Sequence, residues 1–170
     1  MARRRSRRRY NLSAGGPAPK VQRDLTLLAP KFQTAVRDAI AECSAAGLDA
    51  IVFETLRSAE LQAEYYTRGR TKKPPERPVT NAKSSLYSWH GFGLAVDVIS
   101  KEHGWSPKDG WWEKVAAIFK RHGCKWGGDW RQVDLPHFQW ELCKPSPSDE
   151  ARSILKDRGL EAVWRAVGAA

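Results

Sequence analysis

Apolar residues recur at steps of three and four in four parts of the chain, and this spacing predicts amphipathic helices. The predicted helices cover residues 25–46, 59–68, 111–120 and 148–167. Pro30 marks either a helix start or a break, because proline suits the first helical turn and interrupts a helix interior. Gly47 stands where the first helix should stop, and Ser58 is the predicted N-cap of the second. The last helix, which begins at Ser148, either docks on the body or binds something else.

Short apolar runs between polar segments predict strands. They lie at residues 49–54 and 94–99, at 124–130 where the run enters a Gly-Gly turn, and from 137 onward. In the last of these, apolar and polar residues alternate, as they should in a strand. Residues 69–83 are polar, basic and Pro-rich, and predict a loop that could act as a lid. His103 and His122 fall in polar, loop-like surroundings, so we expect both side chains to be solvated.

Composition and charge change this picture mainly at the N-terminus. At 170 residues the chain suits one domain with a hydrophobic core, and its eight tryptophans favour a folded enzyme or binding module. The net charge is +10 at pH 7, and six arginines among residues 3–9 supply more than half of it. We therefore expect a disordered basic arm over residues 1–20, a folded domain over 21–144, and a linker with the last helix over 145–170. The arm is either a solvated tail or an attachment to nucleic acid or anionic lipid.

Targeting signals and cysteines indicate where the chain is made. No apolar run approaches the roughly 20 residues of a membrane span. No apolar segment follows the positive N-terminus as it would in a secretory signal peptide, so we expect synthesis in the cytoplasm without a Sec signal. Three widely spaced cysteines are typical of a reducing compartment and of buried thiols. Cys43 lies on the apolar face of its helix, which favours a packing role.

The chemistry concentrates in residues 88–97, which read Ser-Trp-His-Gly-Phe-Gly-Leu-Ala-Val-Asp. His90 lies in a Gly-punctuated loop, and Asp97 lies inside the apolar strand predicted over 94–99. A carboxylate in such a strand is costly unless a positive charge meets it, and a metal ion would supply that charge. His137 is the candidate third ligand, since two imidazoles and one carboxylate with an open position make a catalytic zinc set.

Two further residues could act beside such a metal. Asp134 precedes His137 by three positions, which on a regular strand would place the two side chains on opposite faces. Both can reach one metal only if the chain bends between them, and Pro136 makes a bend plausible. Arg57 sits at a predicted strand-to-helix junction, where its guanidinium could bind a carbonyl oxygen or a substrate carboxylate, or form a surface ion pair.

The pattern Ser88-x-His90-x-x-Gly93-x-Ala95-x-Asp97, followed by Asp134-x-x-His137, resembles the signature of one zinc peptidase family. That family contains D-alanyl-D-alanine carboxypeptidases, vancomycin-resistance dipeptidases and phage L-alanyl-D-glutamate endopeptidases. The resemblance runs from about residue 25 to 140. The strings 126–130, Trp-Gly-Gly-Asp-Trp, and 135–138, Leu-Pro-His-Phe, are most similar to the branch used as phage endolysins. A glycine expected shortly before Ser88 is absent, which affects the entrance loop and not the ligands.

The resemblance implies a fold and a set of roles. The fold is a small α+β domain, a single domain with an antiparallel sheet and helices packed against it. The metal ligands would be His90, Asp97 and His137, holding Zn²⁺. The catalytic residues would be Asp134, as the acid that activates a zinc-bound water, and Arg57, which helps to bind and polarise substrate. The candidate substrate-binding residues are Ser88, Arg57, Gln62 and Trp130.

The function predicted on this basis is a zinc metallopeptidase that hydrolyses the L-alanyl-D-glutamate bond of the peptidoglycan stem peptide, an endolysin acting on the cell wall after release at lysis. A D,D- or L,D-carboxypeptidase is the second reading. The non-enzyme alternative is a basic module that binds wall polymer or nucleic acid and has a structural metal. Structural zinc normally has four protein ligands, often Cys, and no cysteine stands at ligand spacing from His90 or His137. We expect a monomer, with anionic outer-membrane lipid as a candidate partner of the arm and nucleic acid disfavoured.

Overall fold

The computed structural model describes residues 19–72 and 77–170. The arm predicted over residues 1–20 lies outside the described residues up to residue 18, as does part of the predicted loop 69–83, at 73–76. Five α-helices and four strands occupy the described residues. In chain order they are α1 (Pro30–Ala45), β1 (Ala50–Glu54), α2 (Ala59–Thr67), β2 (Ala95–Ser100), α3 (Trp111–Arg121), β3 (Cys124–Trp126), β4 (His137–Trp140), α4 (Asp149–Arg158) and α5 (Leu160–Ala166).

The four strands form one antiparallel sheet in the order β1-β2-β4-β3. Asp97 of β2 lies opposite His137 of β4 on one side and opposite Glu54 of β1 on the other. The register of β1 shifts between Val52 and Glu54, as at a β-bulge. The predicted α+β class, a single domain with helices against a small antiparallel sheet, is confirmed.

One face of the sheet carries the hydrophobic core. Phe138 on β4 packs against Phe119 of α3, with ring centroids 4.3 Å apart. Trp140, two positions further along β4, packs edge-on against Phe32 of α1 at 6.4 Å. Because side chains alternate along a strand, the other two residues of β4, His137 and Gln139, face the opposite side of the sheet. Helices α1 and α3 therefore cover one face, and the other face is left for polar chemistry.

The strand predicted from residue 137 onward is β4, and all four of its residues are buried. The two polar ones, His137 and Gln139, are 7% and 0% exposed. Their burial is possible because each has a hydrogen-bonding partner within the fold. The alternation of residue type is real, but it separates an apolar core face from a buried polar face.

Helix boundaries follow the predicted signals at most positions. Pro30 occupies the first turn of α1, which confirms the helix-start reading, and residues 25–27 form a separate 3₁₀ turn. Ser58 caps α2 by accepting a hydrogen bond from the backbone N–H of Leu61. The single terminal helix predicted over 148–167 is wrong, because the chain breaks into α4 and α5 at Gly159, which has φ +78°.

The terminal helices dock on the body. The indole N–H of Trp164 donates to the carbonyl of Phe92 at 2.7 Å, and that of Trp140 donates to the carbonyl of Val167 at 2.9 Å. The backbone N–H of Lys31 donates to the carbonyl of Ala169 at 3.0 Å. Val163 is fully buried in the same core. Of the two alternatives left by the sequence, docking is therefore the one realised.

His122 differs from the expectation of a solvated histidine. It is half-buried, and its Nε2 lies 2.7 Å from Oε2 of Glu42 on α1. Arg121 contacts the same carboxylate, and both contacts hold the pKa of Glu42 below its usual value. This pairing ties the end of α3 to α1, whereas His103 is exposed as expected.

Within the described residues, no helix combines the length and the apolar character that crossing a bilayer requires. The three cysteines are free and buried, as the sequence predicted. Burial raises the pKa of Cys43 to about 11, and raises the pKa values of Cys124 and Cys143 to about 12. At mildly alkaline pH these groups are therefore thiols and not the reactive thiolates.

This burial predicts the outcome of thiol labelling. We expect Ellman's reagent to leave all three cysteines of the native protein unmodified on the minutes timescale, and to modify all three in guanidinium chloride. Absorbance of the released thionitrobenzoate measures the stoichiometry. Rapid release of one equivalent from the native protein would contradict the assigned packing.

Candidate metal centre and active site

The sheet brings three predicted ligands together. Asp97 and His137 face each other on β2 and β4, and His90 projects from a 3₁₀ helix, Trp89–Phe92, just before β2. Their candidate ligand atoms all lie within 4.8 Å of one another. Oδ1 of Asp97 lies 3.3 Å from Nε2 of His90 and 3.7 Å from Nδ1 of His137. Residues far apart in sequence therefore converge on one point.

Two glycines allow the His90 loop to reach this point. A Cβ on Gly91 would meet the carbonyl oxygen of Ser85 at 2.3 Å. Gly93 has φ +65°, and a Cβ there would meet the carbonyl oxygen of Leu27 at 2.6 Å. Ser88 caps the short helix by accepting a hydrogen bond from the backbone N–H of His90 at 3.4 Å. The glycines in the motif are therefore required by close backbone approach.

Hydrogen bonds direct one nitrogen of each imidazole toward Asp97. Nδ1 of His90 lies 2.9 Å from the carbonyl oxygen of Thr55, which can only accept, so Nδ1 carries the proton. Nε2 of His90 is then an unprotonated nitrogen, buried and without a hydrogen-bond partner among the described residues. In His137 the roles are reversed, because Nε2 contacts Gln139 Oε1 at 3.2 Å and Nδ1 faces Asp97.

This donor set fits a metal ion. Two ligands bonded to a tetrahedral zinc at its usual distances lie about 3.3 Å apart, close to the observed separations of the imidazole nitrogens from Oδ1 of Asp97. An orphaned buried nitrogen is otherwise costly, and coordination would satisfy it. Two histidines and one aspartate leave room for a further ligand, as in catalytic and not in structural zinc sites.

Asp97 is held ionised. Burial alone would raise the pKa of its carboxyl, but the facing His90 and His137 rings and the Arg57 guanidinium together hold that pKa well below its usual value. Nη2 of Arg57 donates to Oδ2 at 3.2 Å, which leaves Oδ1 turned toward the two imidazoles. One oxygen of the carboxylate therefore binds the guanidinium, and the other faces the candidate metal position.

Arg57 is itself fixed by a buried network. Its Nε and Nη2 both donate to Oε2 of Glu54, at 3.0 and 2.5 Å, and its Nη1 donates to Oε1 of Gln62 at 3.0 Å. With the bond to Asp97, four of the five guanidinium N–H groups are engaged. Arg57 as a whole is 8% exposed. The structure therefore places Arg57 behind Asp97, with one guanidinium N–H outside this network.

Gln62 lies deeper than a direct substrate contact would. It is fully buried, and its Nε2 donates to the carbonyl of Ala82 at 2.6 Å while its Oε1 accepts from Arg57. It does not line the cleft that contains the other predicted site residues. Gln62 thus connects the arginine to the loop around residues 80–82.

Asp134 reaches the site through a turn. The backbone N–H of His137 donates to the carbonyl of Asp134 at 3.2 Å, which is the bend that the sequence required between these residues. The N–H of Asp134 donates to the carbonyl of Gly127 at 3.0 Å, and the indole of Trp126 donates to the carbonyl of Leu135 at 2.7 Å. The Trp-Gly string therefore holds this turn against the end of β3.

The environment of Asp134 suits proton transfer. Desolvation by the surrounding cleft, with repulsion from Asp97, raises the pKa of its carboxyl above the usual value. The residue is nevertheless exposed to solvent. A carboxyl with these properties can exchange a proton with a bound molecule.

These residues share one cleft of about 1060 Å³. The ring of Trp130 lies 5.0 Å from that of His137, tilted by 51°, and forms part of the cleft wall. Residues 78–82 line the opposite part of the opening. The predicted site residues that line the cleft are His90, Asp97, His137, Asp134, Arg57, Ser88 and Trp130.

Three participants escaped sequence reasoning. They are Glu54, which fixes Arg57, the carbonyl of Thr55, which fixes His90, and Gln139, which contacts His137. The available signal was a polar side chain within an apolar strand, at Glu54 of β1 and Gln139 of β4. A backbone carbonyl leaves no such signal in the sequence.

Comparisons with known proteins find similarity to peptidases. A family model described as D-alanyl-D-alanine carboxypeptidase matches residues 81–140. The L-alanyl-D-glutamate peptidase of Listeria phage A118 is 29% identical over 118 residues, which are 66% of this chain and 38% of that protein. The chain thus spans well under half the length of this curated relative.

Solved structures share the fold. The L-Ala D-Glu endopeptidase ChiX of Serratia marcescens is 26% identical with a TM-score of 0.50, over 68% of this chain and 82% of its own. The vancomycin resistance D,D-pentapeptidase VanY from a VanB-type cassette is 18% identical with a TM-score of 0.50. The match covers 78% of this chain and 81% of that one. The resemblance to this peptidase family predicted from the motifs is confirmed.

The packing of Gly127 predicts the effect of Gly127→Ala. An added Cβ would meet the carbonyl oxygen of Asp134 at 2.3 Å and the Cβ of His137 at 3.1 Å, so the turn between them must move. We expect Zn²⁺ affinity, measured by isothermal titration calorimetry, to fall roughly 10- to 100-fold, as when partners of metal ligands are altered.

Gly104→Ala is the matched control for this substitution. Nothing lies within 4 Å of a Cβ there, but φ is +58°, so the melting temperature should fall while Zn²⁺ affinity stays unchanged. Wild-type Zn²⁺ affinity in Gly127→Ala would show that the close approach does not position His137.

Proposed function

We propose that this chain is a zinc-dependent peptidase that hydrolyses the L-alanyl-D-glutamate bond of the peptidoglycan stem peptide. The observation that carries the proposal is the meeting of two buried imidazoles and a half-buried carboxylate in an open cleft, with an unsatisfied nitrogen among them. The relatives named as L-alanyl-D-glutamate peptidases support the choice of bond. Such a substrate puts the site of action at the cell wall.

Nε2 of His90, Oδ1 of Asp97 and Nδ1 of His137 would hold the zinc. When bound there, zinc supplies Lewis acidity, which polarises a substrate carbonyl and makes water a better nucleophile at neutral pH. The buried charges around this position favour a cation, because the two carboxylates of Glu54 and Asp97 face one guanidinium, that of Arg57. One negative charge is thus left for the cation to balance.

Asp134 would serve as general base and then as general acid. Its carboxylate takes a proton from the attacking water and delivers it to the amine of the leaving D-glutamate residue. A raised pKa brings the group closer to the operating pH, which favours carrying the proton in both directions. The hydrogen bond from Asp134 N–H to Gly127 holds the carboxyl beside His137.

Some of the remaining predicted residues would contact the substrate directly, and others would act through a neighbouring residue. Ser88 and Trp130 line the cleft and would contact the peptide directly. Arg57 would primarily hold Asp97 and use its remaining N–H on the substrate carbonyl. Gln62 would act indirectly, because its amide orders the cleft residues around Ala82.

A D,D- or L,D-carboxypeptidase is the second candidate, because the matching family model is described as D-alanyl-D-alanine carboxypeptidase. The same catalytic residues would serve either bond. The binding-module alternative is weaker. Among the described residues, the cluster offers three ligands and none of the cysteines, whereas structural zinc normally has four ligands.

Digestion of purified muropeptides distinguishes these candidates. With the Zn²⁺-loaded protein, we expect mass spectrometry to show a disaccharide bearing only L-alanine, together with a peptide that begins with D-glutamate. Loss of one or two terminal residues, with the L-alanyl-D-glutamate bond intact, would establish the carboxypeptidase instead. Intact muropeptides at all times would exclude both enzymes.

The proposed division of labour predicts different effects for two substitutions. Asp134→Asn removes the proton acceptor but no metal ligand, so kcat should fall by about 10²- to 10⁴-fold with Zn²⁺ content unchanged. His137→Ala removes a ligand, so Zn²⁺ content itself should fall. Atomic absorption on the purified variants and steady-state kinetics supply both readouts. Near-wild-type kcat in Asp134→Asn would remove Asp134 from the mechanism.

A further inference from the structure

A single backbone carbonyl connects the two histidine-bearing segments of the site. The carbonyl of Lys144 accepts hydrogen bonds from the indole N–H of Trp89 at 2.7 Å and from Nε2 of Gln139 at 2.9 Å. Trp89 immediately precedes His90, and Gln139 follows His137 by two positions on β4. Lys144 itself lies beyond the region that matches the family model, which ends at residue 140.

This carbonyl determines the orientation of the Gln139 amide. A carbonyl oxygen can only accept, so the NH₂ group of Gln139 must face Lys144 and the amide oxygen must point the other way. That oxygen, Oε1, lies 3.2 Å from Nε2 of His137. Since an amide oxygen also can only accept, Nε2 of His137 must carry the proton.

The tautomer of His137 follows. With the proton on Nε2, Nδ1 has a free lone pair, and Nδ1 is the nitrogen that faces Oδ1 of Asp97 at 3.7 Å. Without Gln139, the ring could instead protonate Nδ1 and donate to the Asp97 carboxylate, which is the stronger acceptor. That alternative would block the nitrogen needed for coordination.

We propose that Gln139, oriented by the carbonyl of Lys144, is a positioning residue that selects the metal-binding tautomer of His137. Gln139 is fully buried, so water does not compete for its amide. Pro145 restricts the backbone of Lys144 to extended conformations, which helps to fix the carbonyl. The inference deepens the proposed function, since it concerns the same metal centre, but the tautomer can be measured without any peptidase assay.

The test uses the full chain with ¹⁵N-labelled histidine. Two-bond ¹⁵N–¹H correlation spectra of the metal-free protein at mildly alkaline pH report which ring nitrogen of His137 is protonated, and calorimetry reports Zn²⁺ affinity. In the wild type we expect protonated Nε2. In Gln139→Leu, which removes the acceptor, we expect protonated Nδ1 to become populated and Zn²⁺ affinity to fall about 10- to 100-fold.

Two further variants complete the experiment. Gln139→Glu keeps an acceptor toward His137, so this variant should retain the proton on Nε2 of His137. If Gln139→Leu does not fold, the tautomer in Gln139→Glu decides the question. Gln132→Leu makes the same change at an exposed position of the cleft wall, and should alter neither the tautomer nor Zn²⁺ affinity.

An unchanged tautomer in folded Gln139→Leu would overturn the proposal, even with weaker Zn²⁺ binding, because the loss would then come from packing. Protonated Nδ1 in the wild type or in Gln139→Glu would overturn it as well. Failure of the proposed function would look different, namely a wild type with protonated Nε2 and bound Zn²⁺ that leaves muropeptides intact.

Discussion

The structure depends on the carboxylate of Asp97, which is placed inside the sheet and not at its edge. β2 is an inner strand, so a charge at its centre has β1 on one side and β4 on the other. Removing such a charge from water is costly unless every oxygen finds a positive or hydrogen-bonding partner. Arg57 satisfies one oxygen, and the two imidazoles turn toward the second. The surrounding fold places these partners beside Asp97.

Placing these partners beside Asp97 requires unusually close backbone contacts. The His90 loop approaches the chain at Ser85 and Leu27, and the Asp134 turn approaches Gly127, at distances that exclude a Cβ on the glycines involved. Antiparallel pairing then fixes Asp97 against His137 with no further adjustment. Rigid strands supply two ligands, and a glycine-dependent loop supplies the third. A site built in this way loses little conformational entropy when a metal binds.

The features predictable from sequence were those with a local cause. Asp97 stood out because a carboxylate interrupts an apolar strand, and the bend before His137 followed from its three-residue offset from Asp134 and from Pro136. The role of Arg57 was harder to predict from the sequence. Its partner Glu54 faces the site beside a register shift in β1, and such a shift has no clear sequence signature. The pairing of His122 with Glu42, 80 positions away, likewise depends on how α3 crosses α1.

The C-terminal segment gains a role in the site from this geometry. The chain leaves β4 at Trp140, passes Lys144 beside both histidine segments, and then continues into α4 and α5. Two hydrogen bonds anchor this terminal segment: the indole of Trp164 donates to the carbonyl of Phe92, and the indole of Trp140 donates to the carbonyl of Val167. The Lys144 carbonyl is therefore held between two fixed points, β4 before it and the docked helices after it. Because a hydrogen-bond acceptor on a mobile segment could not orient the Gln139 amide, docking of the terminal helices and selection of the His137 tautomer are parts of one arrangement.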